Sequence, residues 1–158
     1  MISKKNLKNI YKIKRPIVFL PMAVDFLHHG HTRIIKKASK YGSVIVGLMT
    51  DSGLKSYKGQ PVLNFRQRKE IISQIKNVHY IIPLEGLIYC QIAEKLKVDF
   101  FVHGSDWKRG PQKKERQKLI NLIKKWKGKV IDIPYTKSIS STEIKKIIFS
   151  KKGNVKIR

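Results

Sequence analysis

The chain has 158 residues, a single cysteine and a formal charge of +25. This length favours one domain with its own hydrophobic core, and one cysteine excludes a scaffold held together by disulfides. No apolar run approaches the roughly 18 residues that a membrane-spanning helix requires, and residues 1–15 lack the apolar core of a secretory signal. We therefore expect a cytoplasmic protein without a membrane span.

The positive charge is spread along the whole chain. Residues 1–15 contain six Lys or Arg and no acid, and residues 145–158 contain the same number. A chain this basic attracts phosphates, including those of RNA, at low salt. Its lysines do not gather in one stripe, so the charge predicts no specific nucleic-acid partner. We expect one domain over residues 1–158 whose basic ends, 1–15 and 150–158, are free to fray.

Five short segments rich in Val and Ile alternate with five helical patterns. Strands are predicted at Ile17–Leu20, Ser43–Met49, Val78–Pro83, Asp99–His103 and Lys129–Ile133, and helices at His31–Lys40, Asn64–Lys76, Leu87–Leu96, Gln112–Lys125 and Ser141–Phe149. Such strands are typical of parallel sheets that are buried on both faces. The alternation predicts a doubly wound α/β fold with a five-stranded parallel sheet. Ligands of these sheets bind at the carboxyl ends of the strands.

The segment Asp25–His31 follows the first strand and contains the pattern H-x-G-H. His28 and His31 lie three residues apart at a helix start, so their side chains project to the same side. Gly30 lets the backbone approach a ligand closely. A helix N-terminus suits an anion such as a polyphosphate, to which two imidazoles can donate hydrogen bonds. A surface histidine pair or a metal site remains an alternative, although nothing nearby completes a zinc ligand set.

Polar groups follow three more of the predicted strands. Thr50–Pro61 is interpreted as a loop that carries Lys55 and Lys58, and Asn64 is a plausible N-cap of the helix behind it. His103–Lys108 follows the fourth strand, and the hydroxyl-rich segment Tyr135–Thr142 follows the fifth. Together these segments place imidazole, ammonium, guanidinium and hydroxyl groups on one rim. Such a set of donors suits a triphosphate.

Four motifs occur in the order and spacing of the H-x-G-H cytidylyltransferases: His28–His31, Lys58 before a helix with Arg68, Gly104–Trp107 and Ile139–Thr142. Over about residues 17–149 the chain resembles the glycerol-3-phosphate and the phosphocholine/phosphoethanolamine cytidylyltransferases. It looks closest to cytidylyltransferases of phosphonate biosynthesis, such as those for 2-aminoethylphosphonate. Gly47–Asp51, Val102–Lys108 and Pro134–Lys137 are particularly similar there.

The resemblance implies a Rossmann-like fold of the nucleotidylyltransferase type and an enzyme that transfers CMP from CTP to a small phosphonate or phosphate ester, with release of pyrophosphate. It implies catalytic roles for His28, His31, Lys58 and Arg68. Nucleotide binding falls to Ala23, Val24, Asp25, Gly30, His103, Gly104, Asp106, Thr136, Ile139, Ser140 and Ser141, and acceptor binding to Trp107, Tyr135 and Lys55. No protein metal site is expected, because magnesium would arrive with the triphosphate. A homodimer is also implied, to which Val78–Leu84 would contribute.

Three positions depart from the family pattern, and one of them, Tyr135, bears on the acceptor. Pro21–Val24 stands where many members have a Gly-Thr-Phe turn, Ser138 replaces a usual glycine, and Tyr135 replaces the arginine of glycerol-3-phosphate enzymes. An arginine would repel an ammonium group, whereas the rings of Tyr135 and Trp107 could face one. The expected acceptors are therefore 2-aminoethylphosphonate first, then phosphocholine or phosphoethanolamine, with glycerol-3-phosphate poorer.

Two other functions stay open at this point. An adenylyltransferase of the same superfamily would share the triphosphate-binding residues, because base choice rests on backbone contacts that the sequence does not display. A non-catalytic RNA-binding module would fit the charge, but the chain lacks a recognisable RNA-binding motif.

Overall fold

Five parallel strands form one sheet in the computed structural model, which describes residues 3–109, 112–136 and 139–150. The strands are β1 (Ile17–Met22), β2 (Ser43–Met49), β3 (Val78–Leu84), β4 (Phe100–Gly104) and β5 (Lys129–Ile133). The helices are α1 (Lys4–Ile10), α2 (His29–Ala38), α3 (Asp51–Lys58), α4 (Phe65–Ser73), α5 (Tyr89–Leu96), α6 (Lys113–Ile123) and α7 (Ser141–Ser150), with 3₁₀ turns at Ser105–Lys108 and Lys124–Trp126. The predicted α/β class is confirmed.

The sheet has the strand order β3-β2-β1-β4-β5, and every neighbouring pair is parallel. Strand order therefore reverses at β1, whose two neighbours are β2 and β4. In open α/β sheets this reversal opens a crevice at the carboxyl ends of the strands, where ligands bind. The segments that follow β1 and β4 flank this crevice.

Alternate residues of β1 pack into two separate hydrophobic layers. Ile17 and Phe19 join a cluster that includes residues of α1, α5 and α6, whereas Val18 and Leu20 join one that includes residues of α2 and α4. Both sets are at most 2% exposed. A strand that is covered on both faces explains why the sequence shows a continuous apolar run instead of an alternating one. In the described part of the chain, no helix is long and apolar enough to cross a bilayer.

The N-terminal segment is part of the folded domain, which corrects the expectation of a frayed end. Residues 4–10 form α1, and Ile10 at its end is fully buried. The side chains of Asn6 and Asn9 both hydrogen-bond to the hydroxyl of Tyr80 on β3, at 3.1 and 3.3 Å. Arg15 pairs with Asp99 at 2.9 Å. At the other end α7 reaches Ser150, and residues 151–158 lie outside the described residues.

The segment after β2 is a helix and not the predicted loop. Thr50 caps α3, because its hydroxyl accepts a hydrogen bond from the Gly53 amide at 3.2 Å. Gly53 packs closely against the turn after β3, where a Cβ would lie 2.9 Å from the amide nitrogen of Gly86. Lys55 and Lys58 are therefore held on a helix, with Lys58 in its last turn.

We expect Ile10→Ala to lower the free energy of unfolding by about 2–5 kcal/mol, because the substitution leaves a cavity where α1 meets the sheet. Tyr11→Ala is the matched control, since the neighbouring Tyr11 is 67% exposed and should change stability by no more than about 0.5 kcal/mol. Urea denaturation measures both variants. Equally small losses would contradict the packing of α1 into the core.

Candidate functional site

The two histidines of H-x-G-H form a hydrogen-bonded pair at the start of α2. His28 is the N-cap, and its Nδ1 accepts a hydrogen bond from the Gly30 amide at 3.1 Å. The amide of His28 donates in turn to Nδ1 of His31 at 3.3 Å, and the two ring centroids lie 3.9 Å apart. A Cβ on Gly30 would lie 2.9 Å from the His28 ring. Glycine is thus the residue that lets this ring fold over its own backbone.

These hydrogen bonds determine which nitrogen of each ring carries the proton. A backbone N–H can only donate, so Nδ1 of both His28 and His31 must be the unprotonated acceptor and Nε2 the N–H donor. Burial, with smaller contributions from the charges of His28 and Lys58, lowers the pKa of His31 to about 3. Burial also lowers the pKa of His28, and the charge of the neighbouring His29 contributes to this shift. Two neutral donors therefore line the crevice beside a helix N-terminus, an arrangement suited to an anion.

Lysine side chains from two other helices reach the same crevice. Lys58 lines it from the end of α3, and Lys145 lines it from α7. Lys145 forms an ion pair with the buried Asp25, whose other oxygen accepts hydrogen bonds from the amides of Val62 and Leu63 at 2.8 and 3.1 Å. Asp25 thereby ties the end of β1 to the segment before α4 and to α7.

The serine pair at the start of α7 closes the other side of the crevice. Ser140 caps this helix, since its hydroxyl accepts a hydrogen bond from the Glu143 amide at 3.0 Å. The Ser141 hydroxyl donates to the Phe26 carbonyl at 3.2 Å, which fastens α7 to the segment after β1. Helix starts from α2 and α7 therefore meet at one site. The preceding Lys137 and Ser138, including the expected departure at Ser138, lie outside the described residues.

Beside β4, a buried stack supports the wall of the crevice. Trp107 is 2% exposed, and its ring is parallel to that of His103, with centroids 4.3 Å apart. The Trp107 indole N–H donates to Asp132 at 2.6 Å. Arg116 donates two hydrogen bonds to the same carboxylate, at 3.2 and 2.6 Å. His103 lines the crevice, whereas Trp107 lies behind it.

Most of the residues singled out from the sequence converge on this crevice. Those that line it are Ala23, Asp25, His28, Gly30, His31, Lys58, His103, Gly104, Asp106, Tyr135, Thr136, Ile139, Ser140 and Ser141. Four others do not line it: Val24, Lys55, Arg68 and Trp107. Val24 is 1% exposed and has a φ of 53°, which is unusual for a β-branched residue. Lys55 is exposed on the outside of α3.

The structure corrects the catalytic role that the sequence suggested for Arg68. Its guanidinium is fully buried and lies beneath the crevice, not in it. Nε donates to the Leu63 carbonyl at 3.0 Å, and Nη1 donates to the carbonyls of Ala23 and Met49 at 2.8 and 2.6 Å. Nη2 pairs with Asp51 at 2.6 Å. All of these groups belong to the framework, so Arg68 positions the ends of β1 and β2.

Several residues of the crevice escaped the sequence analysis. Arg33 and Lys145 add positive charge, and Tyr89 and Gln112 also line the crevice. Spacing offered a signal for both cations. Arg33 is three residues beyond Gly30 and Lys145 is four residues beyond Ser141, and residues three or four apart share one face of a helix.

Comparison with known proteins connects this chain with nucleotide transfer. A family model described as Cytidylyltransferase-like matches residues 24–147. The ethanolamine-phosphate cytidylyltransferase of Dictyostelium discoideum is 32% identical over 136 residues, which is 83% of this chain and 36% of that protein. The bifunctional protein HldE of Helicobacter pylori (strain G27) is 31% identical over 107 residues, 66% of this chain and 23% of that protein. The chain thus spans well under half the length of either relative.

Solved structures share the fold. A lipopolysaccharide core biosynthesis protein from Thermoplasma volcanium superposes with a TM-score of 0.65 at 24% identity, covering 76% of this chain and 97% of that one. Pantothenate synthetase from Thermus thermophilus gives a TM-score of 0.57 at 10% identity, covering 87% and 64%. At these identities the likeness concerns the fold alone, and it agrees with the Rossmann-like sheet of the nucleotidylyltransferase type.

The low pKa of His31 makes stability depend on pH. In the unfolded chain this histidine binds a proton near pH 6.5, whereas in the folded chain it does so only at about pH 3. The unfolded state therefore binds more protons between these values, and stability falls as the pH drops below 6.5. Between pH 7.5 and 5.0 we expect His31 to account for a loss of ~2 kcal/mol. His31→Gln should lose less than the wild type in urea denaturation at the two pH values, and equal losses would exclude a buried neutral His31.

Arg68→Met should lower the free energy of unfolding by about 3–5 kcal/mol, because it strands three carbonyls and a carboxylate that the guanidinium now satisfies. Arg66→Met is the control on the same helix. Arg66 is exposed, and its substitution should cost at most about 0.5 kcal/mol. Thermal and urea unfolding test this. A fully stable but inactive Arg68→Met protein would instead return Arg68 to the chemistry.

Proposed function

Because this chain belongs to the cytidylyltransferase-like family, we propose that it transfers CMP from CTP to a small amine-bearing phosphate ester or phosphonate and releases pyrophosphate. The observation that carries this proposal is the pair of neutral Nε2–H donors at the start of α2, opposite the serine-bearing start of α7. Two helix N-termini and the cations Arg33, Lys58 and Lys145 suit a triphosphate. The family match supplies cytidylyl transfer as the reaction.

The reaction requires placement and charge neutralisation more than proton transfer. An oxygen of the acceptor phosphate or phosphonate attacks the α-phosphorus of CTP, and the bond from that phosphorus to the oxygen bridging the β-phosphorus breaks. Pyrophosphate departs with this oxygen and its electron pair. The attacking oxygen is already anionic, so no general base is needed. We assign His28 and His31 to the triphosphate, Lys58 to the α-phosphate and acceptor, and the start of α7 with Ser140 and Ser141 to the β- and γ-phosphates.

Magnesium enters this proposal as part of the CTP complex. Among the described residues, no cluster of three or more His, Cys, Asp or Glu side chains could hold a metal ion, and Asp25 in the crevice is already paired with Lys145. Bound to the triphosphate, the ion would neutralise part of its charge.

The acceptor is proposed to carry an amine. We place 2-aminoethylphosphonate first and ethanolamine phosphate next, and the Dictyostelium relative is named for the latter compound. The position of Trp107 changes the physical argument for this choice. Its buried ring cannot face an ammonium group from within the crevice, so Tyr135 is the one member of the expected aromatic pair that remains.

Pyrophosphate release tests the function directly. The four ribonucleoside triphosphates are each combined with 2-aminoethylphosphonate, ethanolamine phosphate, choline phosphate and glycerol 3-phosphate. We expect CTP with an amine-bearing acceptor to give the highest kcat/KM. Preference for ATP would establish an adenylyltransferase instead. A higher kcat/KM for glycerol 3-phosphate than for every amine would retain cytidylyl transfer and exclude the proposed acceptor class.

We further propose that the protein is a homodimer with β3 at its interface. The strand Val78–Leu84 is an edge of the sheet, and Tyr80, Ile81 and Pro83 on it are only half-buried. A charge of +25 opposes self-association, so a stable dimer needs an interface of roughly 1,200 Å² or more with an apolar centre. Light scattering at moderate salt should give twice the chain mass of 18.4 kDa. A species of 18.4 kDa alone would exclude the dimer.

Lys58 and Lys55 provide a matched test of the cation assigned to the α-phosphate. Both lie on α3, but only Lys58 lines the crevice, and its charge helps to lower the pKa of His31. Lys58→Met should reduce kcat by about 10²–10³-fold, as expected for loss of a group that stabilises transition-state charge. Lys55→Met should stay within about twofold of wild type. The reverse ranking would contradict the role given to Lys58.

A further inference from the structure

The third histidine of the crevice, His103, carries its proton on the opposite nitrogen from the other two. Its Nδ1 lies 2.9 Å from the carbonyl oxygen of Gly104. A carbonyl can only accept, so Nδ1 is the N–H donor and Nε2 of the neutral ring is left with a lone pair. Among the described residues Nε2 has no hydrogen-bond partner. The atom is not fully buried, so a ligand in the crevice can reach it. His103 therefore offers the crevice an acceptor, whereas His28 and His31 offer donors.

The orientation of the His103 ring is fixed from behind. It stacks on Trp107 with an interplanar angle of 7°, and Trp107 is held by its hydrogen bond to Asp132. Burial by itself would raise the pKa of Asp132, but the hydrogen bonds from Arg116 and Trp107 outweigh it and lower this pKa to about 2. The carboxylate that holds Trp107 therefore stays ionised at neutral pH. Burial lowers the pKa of His103 itself, which favours the neutral ring.

A carboxylate lies beside this ring. Asp106 lines the crevice with a side chain that is 55% exposed, and its Oδ1 lies 3.8 Å from Nδ1 of His103. Gly104 makes room for it, because a Cβ there would lie 2.7 Å from the same oxygen. The other carboxylate of the crevice, on Asp25, is engaged by Lys145 and two amides. The His103–Asp106 corner is thus the part of a cation-lined crevice that attracts hydrogen-bond donors.

The corner shares the crevice with the residues assigned to the reacting phosphates. After burial, the charge of Lys58 contributes to lowering the pKa of both His31 and His103, so Lys58 acts on the donor pair and on the corner alike. The crevice therefore presents donors, a cation and acceptors together. A molecule with an anionic phosphorus group at one end and an ammonium group at the other matches this set of groups.

We propose that the His103–Asp106 corner binds the ammonium group of the acceptor substrate through N–H bonds to Nε2 and the Asp106 carboxylate, and that it thereby selects primary over quaternary amines. This assignment rests on the proposed function, specifies its substrate class, and gives to the acceptor two residues that the resemblance had assigned to the nucleotide. A primary ammonium has three N–H donors, whereas a trimethylammonium group has none. Only the primary amine can satisfy the lone pair of His103.

The test compares wild type, His103→Phe and Asp106→Asn with CTP and three acceptors: ethanolamine phosphate, choline phosphate and glycerol 3-phosphate. Phenylalanine keeps an aromatic ring on Trp107 but removes the acceptor nitrogen. We expect wild type to prefer ethanolamine phosphate over choline phosphate. In both variants kcat/KM for ethanolamine phosphate should fall about tenfold or more, as for loss of a hydrogen bond to a charged group. The values for choline phosphate and the KM for CTP should change much less.

Three other outcomes would overturn the assignment. An equal fall for all acceptors together with a raised KM for CTP would show that His103 contacts the nucleotide, and unchanged selectivity in a folded variant would show that the corner touches no acceptor. If His103→Phe does not fold, the exposed Asp106→Asn variant decides between these results. Wild type that releases no pyrophosphate with any acceptor would instead refute the proposed function, and with it the substrate class named here.

Discussion

The buried guanidinium of Arg68 is the constraint on which the site depends. Parallel strands leave carbonyl groups at their carboxyl ends, and these must find donors once helices cover them. Arg68 satisfies the carbonyls of Ala23 after β1 and Met49 at the end of β2, and it also pairs with Asp51 at the start of α3. Its planar fork fixes the directions of these groups as well as their distances. The backbone after β1 can then adopt the positive φ of Val24 and place the side chain of Asp25 in the crevice.

The backbone group that hydrogen-bonds to Nδ1 of each histidine determines which ring nitrogen carries the proton. His28 and His31 meet amides at a helix start and become donors at Nε2, whereas His103 meets the carbonyl of Gly104 and becomes an acceptor. One residue type thus provides opposite functions within one crevice. Burial lowers the pKa of all three, which keeps the rings neutral and preserves the distinction. Protonated rings would all be donors and would attract anions throughout the crevice.

The sequence predicts the five strands well, and most clearly β1 and β2, which are apolar runs buried on both faces. It fails at α1, where lysines surround the few apolar residues and the helix ends at the buried Ile10. It also fails at α3, where Ser52 and Gly53 suggest a loop. Motifs locate the crevice, but a residue type does not reveal whether its side chain enters it. Arg68 and Trp107 both lie one layer behind the lining. The tautomers depend on single carbonyl and amide positions, which no spacing rule provides.

The net charge of +25 explains attraction of substrates but not their discrimination. A positive field draws every phosphate toward the protein, and salt screens it beyond a distance of about 8–10 Å. The same field opposes an acceptor with an ammonium group, and Lys58, Lys145 and Arg33 strengthen that opposition inside the crevice. Selection of an amine therefore requires short-range groups of the opposite character. His103 and Asp106 have that character, and the buried stack behind His103 fixes the orientation of its ring.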